Sequence, residues 1–286
     1  MLGKWWINYN PNVFQETGVV DPEVQYANGT WDFDSMVAAA QKTTKVGPDG
    51  KTQRWGFMQP LYLNSGVLPW IKGMGGRIFS DDGKKCLLGE KGAIDGVGIV
   101  DSLISTKKVL PISFDLIASA KQSKFAMAPW WTDIISSWIA AKISWKPNQV
   151  PFPVGPKSKM TIVSMSHSMT VAKQSKHKLE AYKFVKFACG KTGSLMMAEA
   201  YQCFVPQKEA QKEINQRLIA QGVTGLRFTN ESADRTISTE RSLRFQTVIP
   251  IIETQLNRIF ARKVSVADGL AQAVKGADVD LSRMRK

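Results

Sequence analysis

The chain has 286 residues, 43% of them hydrophobic, enough for one large domain or two ordinary ones around a real core. No apolar run approaches the roughly 20 residues that a membrane-spanning helix needs. The formal charge of +14 and pI of about 9.7 imply basic surfaces that attract anionic partners. The positive residues are spread along the chain, however, with modest clusters at Lys84-Lys85, Lys107-Lys108 and Arg283 to Lys286, and no RNA-binding or helix-turn-helix signature goes with them, so nucleic acid is not expected as a partner.

In chain order, residues 5–10 (WWINYN) read as an aromatic strand ending in Asn. Residues 11–14 open a short turn of helix that Gly18 closes. Thr30 is expected to cap a helix through Trp31, Phe33, Met36, Val37 and Ala40, with Asp32 and Asp34 in its first turn where the helix dipole favours carboxylates. Residues 46–50 form a loop, 54–58 a strand, and 59–76 a loop leading into a helix. A small strand pair follows, 77–79 and 85–88 about an Asp81-Asp82-Gly83 turn. Residues 93–104 are an amphipathic helix, 134–143 are helical, and 145–156 are loop and strand.

Residues 160–171 alternate small, polar and apolar types and predict a strand. Ser175 is then a candidate N-cap for a helix with Leu179, Tyr182, Phe184, Val185 and Phe187 at helical spacing, stopped at Gly190. Residues 194–201 make a second helix and 203–206 an extended exit into Pro206. Residues 207–221 are a polar helix, 227–241 are loop-like, 243–260 are helical, and 266–274 are a last helix introduced by Ser265. No internal repeat or low-complexity tract is present.

The chemistry-bearing patterns of common enzymes are missing or broken. Cys189-Gly190-Lys191-Thr192 has the end of a phosphate loop, but Val185 stands where that motif needs Gly, and the segment follows a helix instead of joining strand to helix. There is no GxSxG. Asp115 and Asp133 have nothing in the sequence to bring them together as a glycosidase pair. The three cysteines, Cys86, Cys189 and Cys203, show no CxxC and no zinc spacing. Cys189 and Cys203 flank a helical turn and could meet. Two histidines, His167 and His177, do not support a metal site. No catalytic residue and no cofactor is expected.

Several phrases, in one order, resemble the extracellular solute-binding proteins of sugar-type ABC importers, the maltose-binding-protein-like family. Residues 9–18 (YNPNVFQETG) resemble the family's YN..LF...G, and residues 30–45 (TWDFDSMVAAAQKTTK) its TWDEF...A..LT. Gly75-Gly76, the strand of residues 123–131 (SKFAMAPWW) preceded by a short helix at 114–120, and residues 150–156 (VPFPVGP) are similar to its GG, F..G.AAM and..P.P.G phrases. Ser175-Lys176, Ala181, Phe184 and Phe187 follow its SK…A..F..F helix, and residues 259–274 match its L.G..S..EAL..A.

The resemblance implies an α/β fold of the periplasmic-binding-protein-like type II class, two lobes joined by hinge strands, with the first lobe incomplete. Residues 1–157 would belong to the second lobe, 158–206 would cross into the first, and 207–286 would return. It implies a non-enzymatic substrate-binding component that captures a sugar or sugar-like solute by hinge closure and delivers it to the permease subunits and their ATPase. An anionic solute such as a sugar phosphate or uronate is one alternative, and a carbohydrate-active enzyme with a Trp-rich cleft another. The implied location is periplasmic, or the outer face of the cytoplasmic membrane. Residues 1–10 lack the features of a signal peptide, so the export signal would be lost or lie upstream. With half the cleft wall absent, binding is expected to be impaired, and an exposed sheet edge beside residues 158–206 together with an apolar patch should favour aggregation.

Sugar sites stack aromatic faces on the ring and hydrogen-bond its hydroxyls. By the resemblance, Trp130 and Trp131 end a strand at the cleft, and strand alternation sends one of them to the cleft and the other to the core. Gln59 and Tyr62 sit where the family's post-strand loop meets ligand, and Trp70 closes the same wall or packs in the core. Ser164, Ser166 and His167 occupy a strand end where many family members carry glycines, and would donate hydrogen bonds or narrow the cleft. Arg244 and Phe245 open the late helix where the family sometimes presents another aromatic. Trp5, Trp6, Trp31 and Trp55 are assigned to core or hinge packing.

Overall fold

The computed structural model describes residues 2–132, 134–166, 168–201, 205–229, 231–242 and 244–283. Strand β1 (Leu2–Tyr9) leads into α1 (Pro11–Thr17), whose start is set by the Asn10 side chain accepting from the Asn12 amide at 3.1 Å and whose end is set by Gly18 at φ 65°. Next comes α2 (Pro22–Ala27), which the sequence reading missed; Asp21 caps it and Pro22 fits its first turn. Helix α3 (Phe33–Thr43) is capped by Asp32, not by Thr30. The Asp32 carboxylate accepts from the Ser35 amide at 2.8 Å while the Ser35 hydroxyl accepts from the Asp32 amide at 2.9 Å. Thr30 instead donates its hydroxyl to the carbonyl of Gln25.

Strands β2 (Lys45–Val46) and β3 (Thr52–Phe57) precede a π-helical turn at Leu63–Val67 and α4 (Leu68–Gly73). The chain continues through α5 (Lys91–Ser105), α6 (Leu116–Lys121), β4 (Phe125–Trp131), α7 (Ile134–Ala140), β5 (Asn148–Pro151) and β6 (Ile162–Ser166). Helices α8 (Lys178–Cys189), α9 (Lys191–Tyr201) and α10 (Lys208–Ala220) follow. After them come β7 (Thr236–Ser238), α11 (Phe245–Phe260) and α12 (Val266–Ser282).

One seven-stranded sheet runs β2-β3-β4-β1-β6-β7, with β5 also paired to β1. β1 is its axis. Residues 5–9 register antiparallel with β4, residues 6–9 with β5, and residues 2–4 with β6. The strand therefore changes partner part-way along its length. β3–β4 and β6–β7 are parallel, as strands joined through helices can be. Because β6 lies between β1 and β7, it is not the bare edge expected from the sequence. The partner it needed, β7, came from a segment read as loop.

The main core holds Trp5, Trp6, Trp31, Phe33, Phe57, Trp70 and Phe152, with a smaller cluster of Phe125, Trp138 and Trp145 beside α6, against which Trp55 packs. Buried indoles are tied down where a carbonyl is in reach: Trp31 donates to Pro151 and Trp145 to Ala120, each at 2.9 Å. Two further expectations shift. Ser175 does not cap α8; its hydroxyl accepts from the His177 amide, and the helix starts at Lys178. The last helix runs eight residues past the expected end, to Ser282, because Ala277 and Leu281 continue the buried stripe begun by Leu270 and Ala273.

α11 and α12 pack as an antiparallel pair fastened at one end by charge. Arg244 gives Asp280 two hydrogen bonds, at 2.8 and 2.9 Å, and the Thr247 hydroxyl adds a third. These hold the Asp280 carboxyl well below the usual carboxylate range, at about 2. A carboxylate whose pKa is lowered on folding contributes stability above its unfolded value of about 3.9 and loses it as pH falls toward the folded value. Melting followed by circular dichroism should thus show a stability loss between about pH 4 and pH 2 that is smaller in Asp280→Asn.

α8 presents Leu179, Tyr182, Phe184 and Phe187 with 53–63% of their surface exposed, an apolar face with no cover among the described residues. Replacing Phe184 and Phe187 together by Lys should reduce concentration-dependent association in analytical ultracentrifugation while leaving the melting temperature within a few degrees, since neither ring is buried.

Candidate functional site

β4 ends in Pro129-Trp130-Trp131, beyond Met127, the last residue it registers with β3. Pro129 can stand there because no ladder on that side needs its N–H. On the other side Trp130 and Trp131 register with Trp6 and Trp5 of β1. The buried Trp5 ring holds both: Trp130 lies tilted at 5.8 Å between centroids, and Trp131 meets it edge-on at 4.9 Å. The Asn8 amide lies against the same strand end, donating to the carbonyls of Trp6, Ala128 and Trp130 at 3.3–3.5 Å.

Trp130 faces a cavity of about 340 Å³, a size suited to a small solute. Three other segments complete its wall: Pro60-Leu61-Tyr62 after β3, residues 112–116 entering α6, and Glu253, Asn257 and Phe260 from α11. Tyr62 stands 63% exposed at the rim, while Leu116 and Phe260 are buried beneath. Glu253 joins two of the segments. One of its carboxylate oxygens accepts from the Leu63 amide at 3.2 Å, which fixes the loop carrying Tyr62 against α11. The wall therefore combines aromatic faces with Ser113, Asn257, Glu253 and the Tyr62 hydroxyl as hydrogen-bonding groups, the mixture that a polyhydroxylated ring requires.

Of the residues expected from the sequence, Trp130 and Tyr62 come together in this cavity. Trp131 is half-buried against Trp5 and does not line it. Gln59 and Trp70 lie elsewhere, which corrects the expectation for Gln59 and takes the core alternative for Trp70: each is fully buried, and the Trp70 indole donates to the Gln59 side chain at 3.0 Å among Phe33, Phe57 and Phe152. Trp70 is thus the core tryptophan of α4. Ser164 lies inside the sheet, in register with Lys4 on β1 and Ser238 on β7, away from the cavity. Ser166 ends β6 opposite Leu2; its side chain, like His167, lies outside the described residues. Arg244 is engaged by Asp280.

The sequence reading missed Phe114, Glu253, Asn257 and Phe260. The last three recur at i, i+4 and i+7 on α11, so they share one helix face, and that spacing was available in the sequence. What was not available is that this face meets the end of β4 across more than a hundred residues.

The remaining chemistry is structural. Asp115 caps α6, its carboxylate accepting from the Ala118 amide at 2.9 Å, and Asp133 lies outside the described residues. Cys86 is buried, which pushes its thiol up to about 11, and Cys189 is an exposed free thiol. Cys203 is outside the described residues. Among the described residues no three His, Cys, Asp or Glu side chains cluster as a metal site. A larger cleft, about 700 Å³, runs along α10 past Lys208, Lys212 and Arg227, but no aromatic side chain lines it among the described residues.

Residues 1–193 match the family described as bacterial extracellular solute-binding protein. The chain belongs to this family. No curated protein matches it by sequence. Solved structures show the same fold at low identity. UgpB from Mycobacterium tuberculosis in complex with glycerophosphocholine aligns at a TM-score of 0.83 and 16% identity over 100% of this chain and 70% of that one. An ABC transporter solute-binding protein from Thermotoga lettingae bound with α-D-tagatose aligns at 0.79 and 14%, over 98% and 71%. The maltose/maltodextrin-binding domain MalE from Bdellovibrio bacteriovorus bound to maltotriose aligns at 0.75 and 17%, over 100% and 72%. This solute-binding protein is thus mixed α/β with the architecture of those structures, and no helix among the described residues is long and apolar enough to cross a membrane.

The assignment of Trp70 to the core has a direct consequence. Trp70→Phe leaves Gln59 buried without its donor, at a cost of about 1–3 kcal/mol. Chemical denaturation should show that loss, while the dissociation constant of any solute bound at Trp130 stays within about twofold, because neither Trp70 nor Gln59 reaches the cavity.

Proposed function

We propose that the protein captures a sugar or sugar-like solute outside the cytoplasmic membrane and delivers it to the membrane-spanning subunits of an ABC importer, whose ATPase drives uptake. The reading rests on one observation: Trp130 and Tyr62, from separate segments, line a single cavity together with Ser113, Asn257 and Glu253. Tagatose, the monosaccharide held by one structural neighbour, is of the size and hydroxyl content this wall suits.

The proposed lobe division follows the partner change along β1. Residues 1–157 form the second lobe, with residues 5–9 of β1 in its sheet, and residues 207–286 return to it. Residues 158–206 cross toward the first lobe, where β6 meets residues 2–4 of β1. Closure about these strands would bring a second wall over Trp130, and the permease would recognise the closed form. The family is one of binding proteins, and among the described residues lining the cavity Glu253 is the one carboxylate, so solute binding is favoured over glycoside hydrolysis.

Among the described residues lining the cavity, Glu253 is the one charged group, and this favours a neutral solute over a sugar phosphate or uronate. Titrating intrinsic tryptophan fluorescence with glucose, maltose, tagatose and glucuronate tests the reading. A neutral sugar should bind, glucuronate should bind more weakly, and Trp130→Ala should weaken the neutral sugar by about tenfold or more. Trp130→Phe keeps a ring against Trp5 and separates lost stacking from lost folding. A folded Trp130→Ala protein that binds as tightly as the native one would overturn the assignment.

A further inference from the structure

The chain carries 38 Lys and Arg against 24 Asp and Glu, yet the charge on its aromatic cavity wall is a carboxylate. Glu253 is half-buried there, one turn of α11 from Asn257. Oε1 accepts from the Leu63 amide at 3.2 Å. Among the described residues, Oε2 makes no hydrogen bond and no Lys, Arg or His lies within ion-pair distance of Glu253. An ionised group that is half withdrawn from water and has no cation beside it leaves negative potential in the cavity.

The rings around it have the same polarity. Tyr62, Phe114 and Trp130 are partly exposed on the cavity, and Phe260 forms its buried floor. The face of each ring is the negative side of its quadrupole, so a cation seated over it is attracted, most strongly over Trp. Rings and carboxylate together make the wall suited to a positive group with an apolar or hydroxylated body.

We propose that this wall selects solutes bearing an ammonium group, seated among Trp130, Tyr62 and Phe114 with its charge toward the free oxygen of Glu253. The proposal rests on the solute-binding reading of the same wall and adds the charge of the solute. A neutral sugar still binds, since Glu253 can accept from a hydroxyl, but it gains no charge–charge or cation–π attraction. An anionic sugar meets repulsion from both the carboxylate and the ring faces. Ammonium can come from an amino sugar or from a quaternary amine, and both present the same charge.

The test compares glucose, glucosamine, choline and glucuronate by fluorescence titration of the 286-residue protein at about pH 6.5, below the range in which an amine of this type loses its proton. Glucosamine should bind about tenfold tighter than glucose, and glucuronate most weakly. In Glu253→Gln the new side-chain oxygen still accepts from Leu63, so the Tyr62 loop keeps its anchor while the charge is gone. That variant should bring the glucosamine-to-glucose affinity ratio close to one. Choline binding that weakens in Glu253→Gln supports the proposal with a quaternary amine as the source, and glucosamine binding without choline supports it with an amino sugar. Equal affinities for glucose and glucosamine in the native protein, or a preference that survives Glu253→Gln, overturn it. Failure of all four probes also overturns it, while the neutral-sugar titration of Trp130→Ala decides the wider solute-binding reading separately.

Discussion

The antiparallel register of β1 with β4 is the constraint on which the rest of the molecule depends. It places Trp5 opposite Trp131 and Trp6 opposite Trp130, so the ring that anchors the site is itself buried in the sheet. A one-residue slip would turn every side chain of β4 to the other face and take Trp130 off the cavity. The same strand holds β5 along residues 6–9 and β6 along residues 2–4. Position of the cavity wall and connection between the two parts of the sheet therefore rest on eight consecutive residues.

A second constraint keeps the ends of β5, β6 and β7 in place. Arg235 is buried without a carboxylate partner within ion-pair distance among the described residues. Its guanidinium donates to the carbonyls of Phe152 and Lys159 and to the Thr161 hydroxyl, and its face lies over the Tyr26 ring at 5.7 Å. Burying a cation this way is costly unless its donors are met, and here the acceptors are the backbone that leads out of β5 and into β6. Arg235 stands immediately before β7, so one side chain ties together the end of β5, the start of β6 and the start of β7. A second buried network does the same from the other side. Asn148 donates to Tyr9, Glu23 and Thr224 at 2.7–3.1 Å while its carbonyl oxygen accepts from the Gly225 amide. At Gly225 a Cβ would fall 1.5 Å from the Gln149 carbonyl, so only glycine allows the returning segment to lie this close.

The legible parts of the sequence were those where local chemistry decides. The aromatic run of β1, the proline and glycine that bracket α1, and the helical character of α5 and α10 could all be read directly, because each rests on residues within one or two turns. The cap of α3 was misplaced by two residues because Thr30 and Asp32 are both good caps, and only the reciprocal bond to Ser35 chooses between them. β7 was invisible because a three-residue strand has no period to read; it exists because β6 offers an edge. The site divides the same way. Trp130 and Tyr62, which line one cavity, could be paired from the sequence because one ends a strand and the other follows one in a recognisable phrase. Gln59 was expected at the cavity but faces inward, where it accepts from Trp70, which takes the core reading left open for it. Glu253, Asn257 and Phe260 could be placed on one face of a helix, but which element that face would meet is a tertiary fact that no local pattern carries.

The charge of the chain and the charge of its cavity point in opposite directions, and this separates two roles that composition merges. The excess of Lys and Arg lies mainly on exposed surface, including six lysines between Lys173 and Lys191 around the apolar face of α8. Charges there are screened within about 10 Å at ordinary salt and act on whatever approaches the protein as a whole. The carboxylate in the cavity would act on a solute bound there over a few ångströms, through poorly screened, ring-lined space. The global field therefore says little about the solute, although a reading of net charge alone would have favoured an anion. Selectivity is set by the side chains that a solute displaces water from, and on this wall those are aromatic rings, neutral hydrogen-bonding groups and one carboxylate whose second oxygen has no partner among the described residues.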